Sequence, residues 1–134
     1  MIRKSLFTLT LVSALAIFAK PVEVSAQAME SVEPFKVGTF AIDGVPTVGL
    51  VVRDDSLIVD VADANRAMEL LPAYAKISIP ADMLGFIEQY DYGLKYRVYE
   101  VMNWLVEENL LSGNTPDYIH PVSSVDIMAP ILYP

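Results

Sequence analysis

KVGTFAIDGVPTVGLVVRDDSLIVDV, residues 36–61, decides how this chain folds. The stretch reads as three short strands joined by two tight turns. Asp43-Gly44 is the first turn, because a two-residue type I′ hairpin needs positive φ at both central positions. Residues 53–56 make the second turn, and residues 57–61 are predicted to form the third strand. We expect most later segments to pack against this sheet.

The first turn also fixes the pairing of the first two strands. If Ile42 faces Val45, then Gly38 faces Gly49, and the remaining residues alternate between two faces of the hairpin. The more apolar face is predicted to look into the core. Its pairs are Ala41 with Pro46, Thr39 with Val48, Val37 with Leu50 and Phe35 with Val52.

Two further expectations follow from this register. Pro46 has no N–H to donate, so the second strand should have a free edge at that position. Gly38 and Gly49 leave a bare patch that another group can approach closely. On the third strand, the period of two favours Leu57, Val59 and Val61 as the inward set over the alternative, Ile58 with Asp60.

Three helices are predicted after the sheet. Asp63 is the expected N-cap of a helix over residues 64–71, which Pro72 stops. A short helix is predicted at residues 81–90, with its apolar face formed by Met83, Leu84, Phe86 and Ile87. The longest helix is expected over residues 92–110, ended by Gly113, with an apolar stripe of Leu94, Val98, Val101, Met102 and Leu105.

The predicted fold class is therefore α+β: a small antiparallel sheet, about three helices on one side, and a C-terminal strand at residues 125–129. Residues 29–34 are interpreted as a polar linker and residues 35–134 as the domain. At 134 residues the chain is long enough for one ordinary domain and too short for two.

The first 28 residues have the features of a secretory signal. Arg3 and Lys4 give a basic start, residues 5–19 are uncharged and apolar, and Ala26-Gln27-Ala28 fits the small-x-small pattern of a cleavage site. The apolar run is shorter than the roughly 20 residues of a membrane-spanning helix. We expect cleavage near Ala28, export to the periplasm or the medium, and no stable membrane insertion afterwards; an uncleaved anchor is the alternative.

The composition indicates an acidic protein without disulfides. The formal net charge is −8, and loss of the first 28 residues would make the remainder more acidic. Nucleic acids and anionic membrane surfaces are therefore excluded as partners, because both require basic patches. The chain has no cysteine, so its stability must come from the core and neither a disulfide nor a lipid-anchored cysteine is available.

Several side chains invite a functional interpretation that the sequence does not support. His120, the only histidine, has no partner at a recognisable spacing and is interpreted as structural or solvated. Asp126 is expected to point outward from the C-terminal strand, between the inward Val125 and Ile127. Two acidic pairs are interpreted as turn and surface residues: Asp54-Asp55 and Glu107-Glu108.

An aromatic sector is the more ambiguous feature. Tyr92, Tyr96 and Tyr99 share one helix face, and Tyr90 and Trp104 lie nearby. One interpretation is a broad core contact. The other is a surface for a further domain or a second subunit, because aromatic residues are enriched at interfaces.

A set of short motifs occurs in a recognisable order along the chain. Its members are Gly38, Asp43-Gly44, Gly49, Ile58-Val59-Asp60, Phe86-Ile87 and Val125-Asp126-Ile127-Met128-Ala129-Pro130 with Pro134. In this order they resemble the N-terminal domain of the fumarylacetoacetate hydrolase (FAH) family. The resemblance covers residues 35–134, and none of its motifs is catalytic.

The resemblance implies one part of a two-part enzyme. Family members hydrolyse carbon–carbon bonds in β-diketo or 2-oxo acids, or decarboxylate or isomerise related compounds. They use Mg²⁺, Ca²⁺ or Mn²⁺ held by a Glu-x-Glu pair and a later Asp, in a catalytic domain that follows the segment resembling residues 126–134. Carboxylate oxygens suit such hard cations, which polarise the dicarbonyl.

This sequence contains no Glu-x-Glu pair, so no catalytic, metal-binding or cofactor-binding residue is assigned to it. We expect an accessory domain that is inactive by itself and that works with a catalytic domain in the same or a separate chain. The alternative is a free-standing exported domain that binds a partner or forms a homodimer and has no catalysis of its own.

Overall fold

The predicted hairpin is the centre of a five-stranded antiparallel sheet. A computed structural model describes residues 29–131; the predicted signal segment and Pro134 lie outside the described residues. The sheet order is β4-β3-β2-β1-β5. The strands are β1 Lys36–Ile42, β2 Val45–Val52, β3 Leu57–Asp60, β4 Ile119–Pro121 and β5 Asp126–Met128.

Helices cover one face of this sheet. They are α1 Val61–Met68, α2 Met83–Gln89 and α3 Lys95–Glu107, and a π-helical turn, Tyr90–Leu94, joins α2 to α3 in one kinked run. The predicted α+β class is confirmed. The sequence predicted only one strand near the C-terminus, and β4 was missed.

The predicted hairpin register is confirmed. Asp43 and Gly44 have φ values of 49° and 77°, as a type I′ turn requires. Every predicted pair from Ile42–Val45 to Val37–Leu50 is present. Within β2, only residues 49–52 pair with β3, so the edge of β2 that faces away from β1 is free at Pro46, as predicted.

The predicted core face of the hairpin is confirmed at its centre, where Val48, Leu50 and Val52 are buried against the helices. Val37 and Pro46, predicted on the same face, are exposed. Burial of an aliphatic side chain such as Leu50 contributes about 1.5–3 kcal/mol. The fully buried members of this core are Leu50, Val52, Val59, Val61, Ala64, Met68, Phe86, Val98, Val101, Met102 and Leu105. The predicted stripe of the longest helix is thus part of the core.

The opposite face of the sheet is concave, as the path from β4 to β5 shows. Pro121, on the edge strand β4, pairs with Leu57. Asp126, on the opposite edge strand β5, pairs with Ala41, which lies near the other end of the strands. In a flat sheet these points would be about 19 Å apart across the strands and about 20 Å apart along them. The five residue steps of chain from Pro121 to Asp126 can span at most about 18 Å. The sheet must therefore coil so that these two corners approach each other.

A second, smaller core fills the concave face. It consists of Phe40, Ile42 and Ile58, with Val122 and Val125 of the β4–β5 connection packed against them. Ile58 was predicted to lie on the outward side, and it is fully buried here because the connection crosses over it. This side of the sheet is not a solvated face.

The ring of Phe40 occupies the bare patch predicted at the two facing glycines. A Cβ atom on Gly38 would lie 2.9 Å from the ring, and one on Gly49 would lie 2.7 Å from the ring and 2.7 Å from Ile58. Real Cβ atoms do not approach other atoms so closely. The patch is therefore filled from within the domain.

Asp60, and not Asp63, caps α1. Asp60 Oδ1 accepts a hydrogen bond from the backbone N–H of Asp63 at 3.0 Å, and α1 begins at Val61, three residues before the predicted start. Val61 was predicted as the last strand residue, and its side chain does point into the core. The prediction was wrong because one buried valine satisfies both the strand and the helix pattern. The helix also ends earlier than predicted, at Met68.

A π-helical turn replaces the first residues of the predicted long helix. Gly93 has a φ of 118°, a conformation that residues with a side chain rarely adopt. The backbone at Tyr92 and Gly93 is not helical, so α3 begins only at Lys95. Tyr90 and Tyr92 therefore lie in the π-helical turn, whereas Tyr96, Tyr99 and Trp104 lie on α3.

Asn109, and not Gly113, terminates α3. Its φ is 55°, and the backbone N–H groups of Leu110 and Asn109 donate to the carbonyl oxygens of Leu105 and Val106 at 2.9 and 3.0 Å. This is a Schellman motif, in which asparagine can take the place of the usual glycine. The left-handed residue thus comes four positions before the predicted one.

We expect substitutions of Asn109 to test whether this residue ends α3 in a left-handed conformation. Asn109→Val should lower the free energy of unfolding by about 1–2 kcal/mol, because a β-branched side chain disfavours positive φ. Asn109→Gly should leave it unchanged or slightly raised. Urea denaturation followed by circular dichroism measures both, with Asn114→Val as the control at an exposed position without positive φ. Equal losses in Asn109→Val and Asn114→Val would contradict the assignment.

Residues 29–34, interpreted from the sequence as a linker, are held against α3. Asn103 Nδ2 donates to the carbonyl oxygen of Glu30 and Asn103 Oδ1 accepts from the N–H of Val32, both at 2.9 Å. One amide side chain thus satisfies a donor and an acceptor of the same backbone segment. We call residues 29–34 the N-terminal strap.

The far end of the strap is fixed to the sheet. Glu33 Oε1 accepts a hydrogen bond from the backbone N–H of Arg53 at 3.1 Å, and its other oxygen lies 3.6 Å from the Arg53 guanidinium. Phe35, the next residue but one, packs edge-on against Tyr99 with 6.0 Å between the ring centroids. The strap is therefore ordered along its length.

Candidate functional site

An apolar groove lies between the start of α2 and the middle of the hairpin. It has a volume of about 280 Å³. Thr39 Oγ1 donates to the carbonyl oxygen of Pro130 at 2.9 Å, which fixes the C-terminal segment along one wall. The lining residues are Thr39, Pro46, Val48, Ala81, Asp82, Met83, Leu84, Pro130 and Ile131.

α2 presents apolar side chains on its outer side next to this groove. Asp82 caps the helix by accepting from the N–H of Gly85 at 3.0 Å. Met83 and Phe86 are buried as predicted, but Leu84 and Ile87 are 49% and 54% exposed.

The predicted inward face of α2 is therefore wrong for these two residues, because the short helix touches the core along one narrow line. We call Leu84, Ile87, Pro130 and Ile131 the α2 patch. A contiguous set of exposed apolar side chains beside a groove is typical of an interaction surface.

A buried charged cluster, which was not predicted from the sequence, joins α1, α3 and the connector between α1 and α2. Arg97 is 3% exposed. Its Nε donates to Asn65 Oδ1 at 2.6 Å, its Nη1 to Glu100 Oε2 at 2.6 Å, and its Nη2 to Glu69 Oε1 at 3.0 Å and to the carbonyl oxygen of Ala75 at 2.6 Å. A buried guanidinium with this number of partners is stable.

The cluster also fastens the connector between α1 and α2. Asn65 Nδ2 donates to the carbonyl oxygen of Ile77 at 2.9 Å, and Glu69 Oε1 accepts from the N–H of Ile77 at 2.6 Å. This N–H, with help from Asn65 and Arg97, lowers the pKa of Glu69 against the opposing effect of desolvation. Because Arg97, Asn65 and Glu69 are paired with one another and with the connector backbone, this part of the cluster is suited to hold structure in place.

The aromatic sector divides into a buried and an exposed part. Tyr92 and Tyr96 are 92% and 46% exposed, and Lys95 Nζ lies 5.2 Å from the centroid of the Tyr96 ring. Tyr99 packs on Phe35. Each of the two interpretations drawn from the sequence therefore fits some of the tyrosines.

The remaining two aromatic residues of the sector, Tyr90 and Trp104, pack in or against the main core. Burial, and to a lesser extent the neighbouring Tyr99 and Asp91, raises the pKa of Tyr90 to about 12. Trp104 is 7% exposed and packs in the main core. Its indole Nε1 is buried and has no hydrogen-bond partner within residues 29–131.

A second cavity, of about 470 Å³, lies where the strap meets the kink and α3. We call it the strap cavity. Its lining residues are Met29, Ile77, Ser78, Gln89, Tyr92, Gly93, Leu94, Tyr96, Arg97 and Glu100. It joins the exposed tyrosines to the edge of the charged cluster.

His120 lies on β4 opposite Ile58, half-buried. Asp60 is two residues further along β3 on the same face, so the structure brings a carboxylate into the neighbourhood of this histidine. Burial raises the pKa of Asp60, and Arg66, the N–H of Ala62 and His120 act in the opposite direction. The Asp60 carboxylate caps α1 and therefore has a structural role.

The other acidic residues considered from the sequence lie on the surface. Asp126 is exposed, as predicted, but Ile127 is 77% exposed because β5 is an edge strand. Asp54 and Asp55 have positive φ in the β2–β3 turn, as expected for turn residues. Glu107-Glu108 is exposed at the end of α3. No three of the histidine, aspartate and glutamate side chains within residues 29–131 converge to hold a metal ion.

Comparisons with known proteins identify no relative. No protein-family model, curated protein or solved structure matches this chain. Among the helices of residues 29–131, none has the length and apolar character needed to cross a membrane.

Proposed function

We propose that this chain is the N-terminal accessory domain of an exported enzyme of the FAH family. The enzyme acts on β-diketo or 2-oxo acids by metal-dependent hydrolysis of a carbon–carbon bond, or by decarboxylation or isomerisation. The Mg²⁺, Ca²⁺ or Mn²⁺ ion and its ligands belong to a catalytic domain in the same or a separate chain. The support in the sequence is the ordered set of FAH-like motifs.

The observation that supports a docking role most directly is the position of the α2 patch. Leu84 from α2 and Pro130 and Ile131 from the C-terminal segment line one groove. A polypeptide that continues beyond residue 131 starts beside exposed apolar side chains. A catalytic domain placed there would cover Leu84 and Ile87, which the accessory domain leaves about half exposed.

The first test is of activity. The purified chain, assayed with an acylpyruvate and Mg²⁺ or Mn²⁺, should show no turnover above the uncatalysed rate. Its addition to a separately purified FAH-family catalytic domain from the same organism should produce a stable complex. Metal-dependent turnover by the chain alone would refute the accessory role.

The second test is of the docking surface. Leu84→Glu should weaken that complex by at least about tenfold, because burying an unpaired carboxylate is unfavourable by well over 1.4 kcal/mol. Leu70→Glu is the matched control, since Leu70 is 85% exposed and lies outside the α2 patch. Titration calorimetry measures both. Equal affinities for the two variants would place the interface elsewhere.

The exposed tyrosines favour the second candidate function, a free-standing domain that binds a partner or a second copy of itself. Tyr92 is almost fully exposed at the kink. If this candidate is correct, sedimentation of the chain alone should show a dimer that Tyr92→Ser dissociates. A monomer at all accessible concentrations supports the accessory role instead.

A further inference from the structure

The N-terminal strap leads into the strap cavity. Asn103 holds Glu30 and Val32 by hydrogen bonds to their backbones. Glu100 precedes Asn103 by three residues on α3, so the two side chains lie on the same side of that helix. Met29, the residue before Glu30, lines the cavity together with Glu100. Met29 and Glu100 are thereby placed on the walls of one cavity.

The hydrogen-bonded cluster contains two carboxylates and one guanidinium. One guanidinium, that of Arg97, bonds two carboxylates, those of Glu69 and Glu100. Glu100 uses only Oε2 for Arg97, and its side chain is 32% exposed. Its second oxygen accepts no hydrogen bond from residues 29–131. A cation at the cavity side of Glu100 would balance the cluster.

We propose that cleavage after Ala28 supplies this cation: the new α-ammonium group of Met29 pairs with the Glu100 carboxylate beside Tyr96. The inference rests on the proposed export and processing of the chain. Water adds across the Ala28–Met29 peptide bond, so Ala28 leaves as a carboxylate and Met29 keeps the nitrogen as an amine, which is protonated at neutral pH. Before cleavage the same nitrogen is a neutral amide.

Processing would then tighten the fold. The strap is already held at Glu30, Val32 and Glu33, so little further ordering is needed to bring the new terminus to Glu100. The other charged or titratable groups around the cavity are Arg97, Lys95, Tyr92 and Tyr96. Arg97 is occupied by its own carboxylate partners, and Lys95 lies over Tyr96.

The test uses the full chain, exported and processed in a bacterial host. Intact mass first establishes whether the mature protein begins at Met29; another terminus overturns the inference and leaves the accessory role untouched. The α-amine is then reductively methylated at neutral pH. We expect its reaction to be at least about threefold slower than in Glu100→Gln, because a paired carboxylate lowers the fraction of free amine.

A double-mutant cycle separates this pairing from the effect of Glu100 on Arg97. Acetylation of the α-amine and Glu100→Gln should each lower the Tm by about 2–4 °C. The two changes together should lower the Tm no more than the larger of the two does alone. Glu107→Gln, an exposed glutamate on the same helix, is the control for charge removal. Additive losses, or equal amine reactivity in the Glu100 variant and the native protein, would overturn the pairing.

Discussion

Arg97→Met is expected to lower the free energy of unfolding by about 3–5 kcal/mol, the largest effect of any single charge removal in this domain. The substitution keeps most of the volume of the side chain but removes the partner of Asn65, Glu69, Glu100 and the Ala75 carbonyl. Removing the guanidinium leaves the partly buried carboxylates of Glu69 and Glu100 without an opposite charge to offset their loss of hydration. Urea denaturation monitored by tryptophan fluorescence and circular dichroism measures the loss.

The matched control is Arg66→Met. Arg66 pairs with Asp63 on the surface of α1, with a side chain that is 70% exposed. Exposed pairs of this kind contribute about 0–1 kcal/mol. Arg97→Lys should recover little of the loss, because an ammonium cannot reproduce the planar fork of donors. Similar losses for Arg97→Met and Arg66→Met would show that the buried cluster is not needed for stability.

Phe40→Ala is the second substitution expected to have a large effect, with a loss of about 3–5 kcal/mol. The Phe40 ring is the largest side chain of the second core and is 4% exposed. Its removal leaves a cavity over Gly38 and Gly49 that their hydrogens do not fill. Ile127→Ala, on the same face but 77% exposed, should change stability by less than about 0.5 kcal/mol.

The glycines provide an internal check of this packing. In the native protein, Gly38→Ala should be destabilising by about 1–3 kcal/mol, since its Cβ would meet only the Phe40 ring, at 2.9 Å. In the Phe40→Ala background the obstacle is gone, and Gly38→Ala should be neutral or slightly stabilising. Additivity of the two substitutions would contradict the contact between the ring and the glycine.

The parts of the fold that short-range chemistry controls were predictable. Asp43-Gly44 determines a turn geometry, and the turn then determines every pair of the hairpin. The apolar stripe of α3 was equally clear, because five residues recur at helical spacing. Helix boundaries were less predictable: Val61 suits a strand and a helix alike, and Asp60 and Asp63 are both chemically competent caps. Only the three-dimensional path of the chain distinguishes them.

The charged cluster was missed for a different reason. Its members come from α1, α3 and the connector, and no local spacing relates Asn65 to Arg97. One signal was present: Arg97 lies three residues after Leu94 and four before Val101, within the apolar stripe. A basic residue at such a position is buried only if partners reach it. For the candidate site, the sequence provided the exposed tyrosines and the C-terminal motif, whereas the exposure of Leu84 depends on how little of α2 touches the sheet.

The pairing of β5 with β1 has a consequence for the order in which the domain assembles. Thr39 bonds the Pro130 carbonyl across 91 positions of sequence, one of the longest-range contacts in the domain. Contacts of such separation form late, because a long loop must close first. The hairpin and its helices can therefore assemble early, while the outer edges of β1 and β3 stay unpaired until residues 119–128 arrive. During synthesis and any passage across a membrane, these two edges are where the incomplete chain is most open to pairing with other chains.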